Sequence, residues 1–67
     1  MMNVTRVTAF VLYVDGQQQR PAADSLQQAM DAAEVFIPSG LPLRIEHFTA
    51  PAPTIVWHYD HTTTRWG

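Results

Sequence analysis

The sequence predicts an α+β fold: an antiparallel sheet of three to four strands with one helix packed across one face, in the order β-β-α-β-β. Three observations carry this expectation. A β-branched and aromatic run near the start ends in an Asp-Gly doublet. A capped amphipathic run occupies the middle and ends in proline and glycine, and two alternating runs follow it.

The first run, Val4 to Val14, reads as a strand because β-branched and aromatic side chains suit a pleated, buried surface. Phe10, Leu12 and Val14 point one way, and Val7, Ala9, Val11 and Tyr13 the other. A strand solvated on one side alternates apolar with polar, so two apolar faces place this one centrally. Asp15-Gly16 is a favoured centre for a two-residue hairpin turn, where both positions need φ > 0. The chain then doubles back through Gln17 to Arg20 as a short polar strand. Pro21 cannot donate to a ladder and suits the end of an edge strand.

A helix opens at Ser25. Ser25 and Gln28 have the spacing in which the first side chain caps an amide and the second reaches back, and Asp24 adds negative charge at the positive end of the dipole. Leu26, Ala29, Met30, Ala33 and Ile37 recur at helical spacing, with Gln27, Gln28, Asp31 and Glu34 on the other face, until Pro38 and Gly40 stop the helix. Beyond it, Pro42 to Thr49 sets Leu43 and Ile45 against Arg44 and Glu46. Residues 50–53, Ala-Pro-Ala-Pro, read as a turn. Thr54 to Asp60 alternates again, with Ile55, Trp57 and Tyr59 facing the core and Val56, His58 and Asp60 facing away. From His61 the chain reads as a polar tail whose Trp66 folds back onto the domain.

Composition narrows the function classes. A chain of 67 residues is one small domain, and such chains bury only about 60% of their unfolded surface, so the core is marginal without help. No cysteine is present, which excludes disulfides and thiolate metal sites, and association with another copy is the remaining common aid. Net charge is −2, and the four basic residues are scattered arginines with no lysine, so the basic stripe of a nucleic-acid binder is missing. The longest apolar run, Ala9 to Val14, is far shorter than a membrane span, and no leader pattern is visible. The expected location is the cytoplasm, and the Ala-, Arg- and Pro-rich usage suits a GC-rich bacterial or phage genome.

The chemistry-bearing residues also have plainer roles. His47, His58, Asp60 and His61 are the candidate metal ligands, since imidazole and carboxylate suit zinc or nickel. Their spacing matches no recognised metal motif, and the plainer role is the solvated side of a strand. Ser25 is a cap and Ser39 part of a turn, and the carboxylates sit in turns, caps and exposed faces. The expectation is therefore a non-enzyme with no cofactor. The aromatics point elsewhere. One helix of about three turns covers one sheet face only, which leaves an apolar surface for a partner or for the tail. The candidate partner-binding residues on that surface are Val7, Val11, Tyr13, Phe48, Val56 and His58, with Arg6 and Arg44 beside them. The expected partner is another protein or, in a homodimer, a second copy. The alternative expectations are a metal- or ligand-binding accessory protein using the histidines and Asp60, or a self-associating bacterial regulatory domain.

The stretches "DSLQQAMDAA", "LRIEH" and "IVWHYD…RW" resemble a group of very small bacterial and phage proteins with a strand, a capped helix and a final W-x-Y-D…R-W hairpin. Phage anti-CRISPR inhibitors of type I effector complexes are among them. The resemblance runs over residues 24 to 66 and leaves the first strand outside it. It implies a stoichiometric inhibitor that binds a CRISPR effector complex and carries no active site. The resemblance implies a lysine-bearing surface, which this chain lacks, so any such contact falls to Arg6, Arg20, Arg44 or Arg65.

Overall fold

The computed structural model describes residues 8–49 and 52–67. The first part of the expected opening strand, with the candidate partner residues Arg6 and Val7, lies outside the described residues. Among the described residues, five strands form one antiparallel sheet: β1 Thr8–Val14, β2 Gln17–Gln18, β3 Leu43–Thr49, β4 Ala52–Asp60 and β5 Arg65–Trp66, in the spatial order β2-β1-β3-β4-β5. One α-helix, α1 Leu26–Ala33, runs directly into a 3₁₀ helix over Glu34–Ser39. This is the α+β fold expected, with one more strand than the sequence suggested. The tail after His61 turns back and pairs with β4, and Ala52 and Pro53 belong to that strand rather than to a turn.

The β1–β2 hairpin is closed by Asp15 and Gly16 at φ 52° and 81°. Positive values at both central positions match the right-handed twist of the flanking strands. After β2 the chain stays beside β1. Gln19 donates to the Leu12 carbonyl at 2.8 Å, residues 20–22 bow away around a cis Arg20–Pro21 bond, and Ala23 exchanges two hydrogen bonds with Phe10.

α1 begins at an extended Ser25 whose Oγ accepts the Gln28 amide at 3.1 Å. Gln28 reaches back with its Oε1, but it accepts from the Asp24 amide at 2.6 Å, one residue before the cap. The α-helix stops earlier than its apolar spacing suggests. Pro38 has no N–H, and its ring opposes the carbonyl four residues before it, so the chain tightens into a 3₁₀ turn. Gly40 ends it at φ 73°, donating to the Ile37 carbonyl at 3.1 Å.

Register sorts the side chains into rows. Leu12, Ile45 and Trp57 stand opposite one another, and so do Phe10, His47 and Ile55. These rows face α1. Leu12, Val14, Leu43 and Ile45 are buried there with Ala29 and Ala33, and Leu26, Met30, Phe36, Ile37, Trp57 and Tyr59 pack round them. Rows of opposite parity, Tyr13–Arg44–His58 and Val11–Glu46–Val56, project from the other face. Ile55 departs from the expectation. It lies on the core-facing side as predicted, yet is 52% exposed, because α1 packs on β1 and β3 and Ile55 stands on β4, in the row past Ile45.

Candidate functional site

The surface expected to meet a partner is the sheet face opposite α1. Register brings Val11, Tyr13, Arg44, Phe48, Val56 and His58 onto that one face. Both helices pack on the other side, through Leu26, Met30, Phe36 and Ile37. Trp66, which could have folded over this face, does not. It pairs opposite Tyr59 in β5, with the rings edge-on at 5.2 Å, and joins the rim of the core.

The face is less uniformly apolar than the sequence suggested. The Arg44 guanidinium lies over the Tyr13 ring at 4.0 Å, and its Nε donates to Glu46 Oε2 at 2.7 Å. A charged pair therefore runs along the central strand, flanked by Tyr13 on β1 and Val56 on β4. Val11, flanked on its own strand by Ala9 and Tyr13 and across the ladder by Glu46, is 5% exposed and is not available to a partner. Phe48 and Val56 are exposed at 40% and 39%. The accessible set is thus Tyr13 with Arg44, Phe48, Val56 and His58.

The candidate metal ligands do not converge. His47 faces α1 and stacks on Phe10, centroids 4.0 Å apart and planes 6° from parallel, with Trp57 tilted against both. His58 and Asp60 share the opposite face. His61 lies in the turn after β4, where its Nε2 is 2.8 Å from the Leu41 carbonyl oxygen and its ring meets Tyr59 edge-on at 4.9 Å. Asp60 is occupied as well: its Oδ1 accepts the Thr62 amide at 2.8 Å and the Thr63 amide at 3.4 Å. These backbone donors hold its carboxyl below the usual carboxylate range. Among the described residues no three of His, Cys, Asp and Glu stand together as a ligand set. His58 and Asp60 do line a shallow depression with Tyr59 and Trp66, and it is walled by the same turn.

One feature of the helix side is not legible in the local sequence pattern, an open groove of about 330 Å³. It lies between the bowed segment Gln19–Ala23 and α1, walled by Phe10, Ala23, Ala29, Ala32 and Phe36. The signal was present as a cluster of small residues, Ala22, Ala23, Ala29 and Ala32, whose methyls leave a gap that larger side chains would fill. It could not be read without knowing that residues 20–22 leave β1.

Comparison with family models, curated proteins and solved structures finds no match for this chain. No helix among the described residues is long and apolar enough to cross a membrane.

Proposed function

We propose that this protein is a small non-catalytic binding module that acts by contact with a partner protein. The observation that carries this reading is the sheet face that, among the described residues, neither helix covers. Both helices pack on one side of the sheet, and the other side presents Phe48 and Val56 beside the Tyr13–Arg44 stack. Aromatic side chains next to an arginine are the residue types enriched at the energetic centre of a protein interface. The resemblance drawn from residues 24 to 66 would make the partner a type I CRISPR effector complex, and the protein its stoichiometric inhibitor.

The test uses purified type I effector complex and the intact chain. Co-migration on size exclusion, with loss of target-DNA binding by the complex, is the expected result. Phe48→Glu combined with Val56→Glu should abolish it while far-ultraviolet circular dichroism stays unchanged. Co-migration that survives the double substitution rejects this face as the interface. Absence of co-migration by the unaltered chain rejects the effector complex as the partner.

A further inference from the structure

The helix-side groove is an apolar cleft that the fold leaves open. Interiors normally close to crystal-like density, and a chain this short gains from every apolar surface it buries. Here two ring systems, Phe10 and Phe36, wall a gap floored by Ala29 and Ala32, and no large side chain enters it. Its volume of about 330 Å³ falls at the lower end of small-molecule sites.

The polar groups at its rim differ in what they have left to offer. Gln28 Oε1 already accepts the Asp24 amide, and Gln19 Nε2 donates to the Gln17 carbonyl. Arg20 lines the same groove and has no ion-pair partner among the described residues; the ion pair they form is Arg44 with Glu46. No Asp, Glu or His lines the groove. It therefore offers an apolar body and one unneutralised guanidinium, whose fork matches a carboxylate in two-point contact.

We propose that this groove binds a small amphipathic carboxylate. The apolar body of the ligand lies against Phe10, Phe36, Ala29 and Ala32, and its carboxylate meets Arg20. This site is independent of the partner-binding reading, because it lies on the opposite side of the sheet.

Phenylbutyrate, with phenylbutanol as its uncharged counterpart, probes both halves of the site. In amide nitrogen–proton correlation spectra, phenylbutyrate should shift the resonances of Phe10, Ala29 and Ala32 with a Kd of about 0.1–1 mM. Phenylbutanol should shift the same resonances with roughly tenfold weaker affinity, the loss of one charge-assisted contact. Arg20→Gln should bring the acid down to the affinity of the alcohol. Ala32→Leu, on an exposed helical position, should fill the groove and weaken both ligands at least tenfold while the rest of the spectrum is retained. The proposal is overturned if neither compound shifts the groove resonances at millimolar concentration. It is equally overturned if the acid keeps its advantage in Arg20→Gln, or if Ala32→Leu leaves binding intact.

Discussion

Thr64 is the residue whose backbone is most at odds with its side chain. The four-residue turn between Asp60 and Arg65 is set by the Asp60 carboxylate, which accepts the amides of Thr62 and Thr63. Closing the turn then leaves Thr64 at φ 56°. A β-branched residue crowds its own carbonyl there, at about 1–2 kcal/mol, whereas Asn tolerates the conformation. Thr64→Asn should therefore raise stability by about 1 kcal/mol, seen as a rise of roughly 4–8 °C in the thermal midpoint. A midpoint that falls would show that the hydrogen bond from Thr64 Oγ1 to the Thr63 carbonyl outweighs the backbone strain. The histidines teach the same lesson about single residues. His47, His58 and His61 group as candidate ligands by their chemistry, yet register sets His47 on the helix side and His58 on the other, and His61 lies in the turn.

Among the elements, α1 depends most on its ends. It has eight residues, a length at which isolated helices do not persist in water, so packing and capping decide whether it forms. Ser25 Oγ satisfies the Gln28 amide, and Gln28 ties Asp24 to the same turn. Ser25→Ala is expected to lower stability by about 1 kcal/mol, measured by urea denaturation followed through tryptophan fluorescence. An unchanged midpoint would mean that water replaces the cap at no cost. The apolar spacing correctly located the helix and its buried face, since Ala29 and Ala33 are both buried. It did not show that the last turns tighten to 3₁₀, because Ile37 keeps an inward position in either helix. The tail was misread for a related reason. Arg65–Trp66 is too short to show alternation, and it becomes a strand only because Asp60 turns the chain back against β4.

For the molecule as a whole, stability rests on few side chains. The core cluster comprises Leu12, Val14, Ala29, Ala33, Leu43 and Ile45, with Ile45 fully buried beneath the helix. Truncating such a residue typically removes about 2–5 kcal/mol. A domain of this length has roughly 3–10 kcal/mol in total. Ile45→Ala should therefore remove about 2–5 kcal/mol, a large share of the total, read as a lowered midpoint in urea denaturation. Ile55→Ala, on the same sheet face but 52% exposed, should cost less than about 1 kcal/mol. Equal costs for the two would contradict the placement of α1 over β1 and β3. The same geometry bears on function, since a helix that covers one face cannot cover the other.

By itself the sequence determined the α+β class, the Asp15-Gly16 hairpin, the capped helix and the division of each long strand into two faces. These follow from local rules: glycine and aspartate at positive φ, an oxygen placed to cap an amide, and the period-two alternation of a strand. Tertiary structure alone decided which faces are covered. Cross-strand register sent His47 to the helix side and His58 to the other, and on that other face Val11 is buried while Phe48 is exposed. The departure of residues 20–22 from β1 opened the groove beside Arg20. Register, bowing and coverage depend on contacts between segments distant along the chain, and no local pattern of residue types records them.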